Sequence, residues 1–179
     1  MSEPRHSSQD SAPLGSVERV DEDWRITFVR EYGHQVDEVW AMLTDPGLTR
    51  LWWADARIEP RVGGRFDLRW LNSPEAGEWW AGAVTAWEPG RLLEFTNSEH
   101  GLLRWELEPT DAGTRLRFTD LIRPEEERFV AMSLAGWHLH LDHLADALDG
   151  TGQDWDGWMQ RWLPTWQDLH AEYVALAAR

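Results

Sequence analysis

Residues 36–53 constrain the fold more than any other part of this sequence, because two short helical segments meet there at a Pro-Gly break. Apolar side chains recur at the spacing of a helix at Val36, Val39, Trp40 and Leu43. Asp45-Pro46 ends that helix, since the residue before a proline is steered away from helical geometry. A second short helix then runs into Trp52 and Trp53, and a β-branched run at residues 25–30 precedes both as a first strand.

After this region the apolar pattern changes from helical spacing to strict alternation. Residues 65–70 place Phe66, Leu68 and Trp70 on one face, and residues 103–107 alternate in the same way. Short turns such as Gly63-Gly64 separate further strands at residues 54–62, 79–87, 91–96 and 114–120. The pattern predicts a run of antiparallel strands.

The alternation ends at a long helical stretch from Pro124 to Gly150, with proline in its first turn and glycine just after its end. One apolar stripe runs along it through Val130, Leu134, Trp137, Leu141, Leu144 and Leu148. We expect an α+β fold in which a curved antiparallel sheet wraps around this long helix. Residues 1–16 are interpreted as a disordered leader, residues 17–150 as the domain, and residues 151–179 as a helical extension packed on or near it. Pro164 is expected to kink or split that extension.

The charge balance and two missing residue types exclude several classes of function. There are 17 basic and 32 acidic residues, a net charge of −15, which disfavours binding to nucleic acid or to anionic membrane surfaces. The chain has no cysteine, and all of its basic residues are arginine, so thiolate sites and Schiff-base chemistry are excluded. Without an apolar run of roughly 20 residues or a secretory signal, we expect a cytoplasmic protein.

Several of these segments, in this order, resemble the START-like or SRPBCC superfamily. The resemblance is strongest to its branch homologous to the activator of the ninety-kilodalton heat-shock protein ATPase. The matching positions are Val39-Trp40, Thr44-Asp45-Pro46, Trp52-Trp53, Gly63-Gly64, Gly82, Pro89, Gly113-Thr114-Arg115-Leu116, Gly136-Trp137, Leu141, Leu144 and Leu148. The resemblance implies a helix-grip fold with a hydrophobic cavity, whose uses in the superfamily include lipid transfer, polyketide cyclisation, hormone sensing and chaperone co-regulation. It carries over no catalytic motif.

Large apolar residues on the inner faces are the candidates for lining such a cavity. The predicted lining residues are Trp53, Phe66, Leu68, Trp80, Phe95, Leu116, Phe118, Trp137, His140 and Leu141. The alternative is that the tryptophans fill the core, and we favour that interpretation for Trp40, Trp70 and Trp105. The two short helices are expected to close one end of the cavity, with Trp53 as a lid facing Trp137.

Three histidines and one aspartate are the candidates for polar chemistry. His138, His140 and His143 do not share a helix face as zinc ligands would, so we predict no metal, and no cofactor either. A solvated polar face is the favoured interpretation of His138, whereas His140 lies at the edge of the apolar stripe and could act as a general base. Asp120 has the strand parity of Leu116 and Phe118, although its position at the strand end favours a face that opens to water or to a helix cap.

Three hypotheses of function follow. The leading one is a protein that binds a small apolar or aromatic molecule in an internal cavity. The second is a cyclase- or hydrolase-type enzyme that uses His140 and Asp120 as acid and base. The third is an interaction module, with chaperone regulation as a special case or with residues 155–166 supporting a homodimer.

Overall fold

A six-stranded antiparallel sheet forms the largest layer of the computed structural model, which describes residues 12–72, 77–97, 101–123 and 128–177. Its strands are β1 (Ser16–Val20), β2 (Asp23–Tyr32), β5 (Gly82–Glu88), β6 (Leu92–Asn97), β7 (Gly101–Thr110) and β8 (Gly113–Ile122). They are arranged in the order β1-β2-β8-β7-β6-β5. A two-stranded sheet of β3 (Ala54–Ile58) and β4 (Phe66–Trp70) continues from the β5 edge through the bridges Arg65–Ala83 and Leu68–Trp80.

Four helices accompany the sheets in the described part of the chain. They are α1 (Val36–Thr44), α2 (Pro46–Thr49), α3 (Arg128–Leu148) and α4 (Trp158–Ala177). The predicted α+β helix-grip fold, with two short helices after the strand β2 and one long helix against a curved sheet, is confirmed. None of the described helices is long and apolar enough to cross a membrane.

Local signals explain where the helices begin and end. At α1, the Gln35 amide donates to the Glu38 carboxylate at 2.8 Å, and at α2 the Gly47 amide donates to the Asp45 carboxylate at 2.7 Å. Beyond the end of α3, Gly150 adopts a φ of +88°, so that its amide and that of Thr151 reach the last carbonyls of the helix. The predicted start at Pro124 lies outside the described residues.

Two elements differ from the sequence-based expectations. Strand β1 was not predicted; it pairs with β2 in a tight hairpin whose turn residue Asp21 has a φ of +56°. Helix α4 continues through Pro164, so of the two predicted effects of this proline, a kink or a split, the split is wrong. Trp158 and Tyr173, at opposite ends of α4, are both buried, so tertiary packing holds the helix on each side of the proline.

The core lies between the sheet and α3 and is dominated by aromatic rings. We call this group the aromatic cluster: Trp52, Trp53, Trp70, Phe95, Trp105, Phe118 and Trp137. Trp53 lies at its centre, with ring centroids 5.3 Å from Trp52, 5.8 Å from Trp105 and 5.6 Å from Trp137. Rings at these separations combine area burial with favourable edge and offset contacts.

Replacing Phe118 by alanine tests how much the fold depends on this cluster. Phe118 is fully buried, with ring centroids 4.1 Å from Trp105 and 4.4 Å from Trp137. We expect F118A to lower the free energy of unfolding by about 3–5 kcal/mol, because the cavity cannot close among rigid rings. Urea denaturation measures this. The matched control V62A removes an apolar side chain that is 62% exposed and should change stability by less than about 0.5 kcal/mol.

Candidate functional site

The interior that the sequence predicts as a cavity is filled by its own side chains. Seven of the ten predicted lining residues have no exposed surface: Trp53, Phe66, Leu68, Phe95, Leu116, Phe118 and Leu141. Phe66 and Phe95 stack with centroids 3.8 Å apart, and Trp53 faces Trp137 as expected but is sealed within the aromatic cluster. These seven residues therefore form packed core instead of a cavity wall, and Trp53 is not a lid.

Of the other three predicted residues, Trp80 is half-buried at the bridge between β4 and β5. Trp137 and His140 line a smaller space of about 230 Å³, which lies between α3 and the ends of β4 and β8. We call it the Asp120 pocket; its lining residues are Trp70, Asn72, Asp120, Ile122, Ser133, Gly136, Trp137 and His140.

Three elements bring these residues together. Strand β8 contributes Asp120 and Ile122, and the end of β4 contributes Trp70 and Asn72. Helix α3 contributes residues 133, 136, 137 and 140, whose spacing of three to four places them on one face. Asn72 and Ser133 were not identified from the sequence, because neither belongs to an apolar pattern or to a recognisable motif.

Asp120 is the most unusual side chain of this pocket. It is 2% exposed, and its Oδ2 accepts a hydrogen bond of 2.8 Å from the Trp137 indole N–H. Its Oδ1 has no hydrogen-bond partner among the described residues. Burial raises the pKa of Asp120 to about 8, because a charged carboxylate is poorly solvated there. The expectation that Asp120 opens to water is therefore wrong, since α3 covers the end of β8.

His140 is also buried, and both of its ring nitrogens have partners. Nδ1 lies 3.1 Å from the Trp52 carbonyl oxygen, which can only accept, so Nδ1 carries the proton. Nε2 then accepts from the Asn72 side-chain amide at 3.0 Å. Burial lowers the pKa of His140 to about 4, so the ring is neutral at pH 7.

His138 is not solvated, contrary to expectation, and His143 is buried as well, because α4 packs over both. His138 Nδ1 lies 2.8 Å from the Tyr173 hydroxyl, and the Trp158 indole N–H donates to His143 Nε2 at 3.2 Å. Burial lowers the pKa of His138 to about 4 and that of His143 to about 3. In the described part of the chain, no group of three or more histidine, cysteine or acidic residues could hold a metal ion.

Comparison with known proteins identifies the family. The sequence model described as "Activator of Hsp90 ATPase homolog 1-like protein" matches residues 34–149. The chain belongs to this family. The match includes every element from α1 to α3 and every residue that lines the Asp120 pocket. The resemblance to this branch of the START-like superfamily is thereby confirmed.

Several solved structures share the fold of this chain. Protein MLL2253 from Mesorhizobium loti is 27% identical over 72% of this chain and 99% of its own, with a TM-score of 0.62. CalU16 from Micromonospora echinospora, solved in solution, is 20% identical over 97% of this chain and 98% of its own, with a TM-score of 0.70. No curated protein matches the sequence.

The pH dependence of stability tests the buried state of Asp120. Because its folded pKa of about 8 lies above the unfolded value, folding takes up a proton between pH 4 and 8. The stability that this proton provides is present at low pH and is lost as the pH rises towards 8. Asp120→Asn removes this dependence.

Between pH 5 and pH 9, we expect the free energy of unfolding of D120N to rise by about 4 kcal/mol relative to that of the natural protein. Urea denaturation of both proteins at pH 5, 7 and 9 measures the difference, and the buried histidines cancel in the comparison. A difference independent of pH would mean that Asp120 is solvated in the folded protein.

Proposed function

We propose that this protein is a small-molecule-binding module whose ligand occupies the Asp120 pocket. The observation that carries the proposal is a carboxyl group that is 2% exposed, lines an open space, and has an Oδ1 without a hydrogen-bond partner among the described residues. An unpaired buried polar atom costs about 1–3 kcal/mol. A ligand that completes its hydrogen bonding recovers part of this cost when it binds.

The pocket volume limits the size of the ligand. A closed cavity of about 150 Å³ accommodates benzene. The 230 Å³ of the Asp120 pocket therefore fits one aromatic ring with a short polar substituent. Trp70 and Trp137 provide the apolar walls, with ring centroids 5.8 Å apart and planes inclined by 61°. The aromatic ring of a ligand packs well in the corner between two such rings.

Acid–base catalysis is the second candidate, because Asp120 and His140 line the same pocket. A general base needs a free nitrogen within hydrogen-bond reach of the substrate. Both nitrogens of His140 already have partners, the Trp52 carbonyl and the Asn72 amide. Catalysis therefore requires the Asn72 side chain to move away from Nε2, whereas binding leaves this hydrogen bond intact, and we favour binding.

The interaction-module hypothesis rests on a different surface. On α4, Met159 is 41% exposed and Leu163 is 40% exposed, one helical turn apart. Two neighbouring apolar side chains make a small patch, well below the area of a stable interface. A chaperone partner or a homodimer through this helix stays a prediction of the sequence.

A pair of substitutions on neighbouring positions of α3 tests the proposal. Ser133→Phe places a ring at the wall of the Asp120 pocket, whereas Met132→Phe adds the same ring at an exposed position outside it. Single-ring fragments are screened by ligand-observed NMR, and their positions are then determined by crystallography. We expect fragments in the pocket of the natural protein, with affinity at least tenfold weaker in S133F and unchanged in M132F. Equal binding to all three proteins, or no binding to any, contradicts the proposal.

A further inference from the structure

The Asp120 pocket also carries information about the chemistry of its ligand. We propose that the pocket recognises an organic cation, namely a small aromatic molecule with a protonated amine; this inference rests on the proposed function. In this complex an ammonium N–H donates a hydrogen bond to Asp120 Oδ1. The aromatic body packs against Trp70 and Trp137.

The hydrogen bonding of Asp120 provides the first argument. Trp137 Nε1–H donates to Oδ2 at 2.8 Å, so one oxygen already has the donor that a carboxylate needs. Oδ1 lacks a second donor among the described residues. The protein thus supplies one donor to a buried carboxyl group that lines the pocket, and the other oxygen has none among the described residues. An ammonium group both supplies the missing donor and balances the charge.

The charges around the pocket provide the second argument. No cationic side chain is among its described lining residues, and Asp120 is the single acidic group there. On the strands beside it, Asp120 is paired with Ile26 and Leu103, which are apolar. The whole chain has a net charge of −15, which attracts cations and repels anions over longer distances. An anionic ligand would meet a carboxyl group with nothing to neutralise either charge.

The aromatic walls provide the third argument. Both tryptophans line the pocket, and an indole ring attracts a cation placed over its face within about 6 Å. His140 is the other titratable residue among the described lining residues, and it is neutral at pH 7, so it does not repel a cation. Its Nδ1–H is held by the Trp52 carbonyl, which keeps the proton away from the pocket.

This chemistry predicts a characteristic pH dependence. Burial raises the pKa of Asp120 to about 8, so the carboxyl is protonated in the free protein at neutral pH and must lose that proton when a cation binds. Affinity for a cation should therefore rise about tenfold per pH unit below pH 8 and level off above it. Ligands that need a hydrogen-bond donor from the protonated carboxyl would bind more weakly as the pH rises through 8.

The test compares 2-phenylethylamine with 2-phenylethanol, which differ only in the polar end. The amine stays protonated across the range, since alkylammonium groups titrate near pH 10. Calorimetric titrations at pH 6, 7 and 8 give the affinities. We expect the amine to bind at least tenfold more tightly than the alcohol at pH 8, with affinity rising between pH 6 and 8.

Two aspartate-to-asparagine variants locate the effect. Asp120→Asn keeps the shape of the side chain but cannot ionise, and it should abolish the preference for the amine. Asp168→Asn removes one exposed charge from α4 and should leave the preference unchanged. An alcohol that binds as tightly as the amine, or a preference that survives in D120N, overturns the assignment of a cation. If neither probe binds and no other single-ring fragment enters the pocket, the proposed function fails as well.

Discussion

The packing of Trp137 against the sheet links the core of this protein to its candidate site. The indole ring contacts Phe118 and Trp105 from α3, at centroid distances of 4.4 and 5.8 Å, and so holds the helix on the sheet. Its N–H points the other way along the same ring and binds Asp120 at 2.8 Å. Because this hydrogen bond joins α3 to β8, the residue that packs the helix on the sheet also holds the carboxyl group at the pocket.

The aromatic cluster also determines where open space remains. A helix across a curved sheet can leave a long cavity, and smaller side chains at these positions would leave one here. Trp52, Trp53 and Trp105 fill it instead, each with no exposed surface. Space remains in the Asp120 pocket, whose lining includes the smaller polar side chains of Asn72 and Ser133. The size of the side chains, more than the fold, therefore limits the open space between α3 and the sheet.

Most helices and strands could be predicted from the sequence, because the patterns that indicate them are local. Alternation at residues 66–70 and 103–107, the Asp45-Pro46 break and the glycine after α3 each act within a few residues. It could not predict whether Trp53 lines a cavity or fills it, because that depends on how far α3 lies from the sheet. The same limit applies to His138 and His143, whose burial requires α4 to pack on α3. Strand parity did place Asp120 on the inner face, but its burial depends on the helix above it.

Asp120 is a poor choice of residue if stability alone is considered. A carboxyl group at a 2% exposed position with one hydrogen-bond donor loses most of its hydration, which is the physical reason for its raised pKa. An apolar side chain of similar size would avoid that cost, although it would leave the Trp137 N–H without an acceptor. An asparagine would satisfy that N–H without the penalty of a buried charge. The difference between aspartate and asparagine here is the ability to become negatively charged, and the proposed organic cation would give that ability a use.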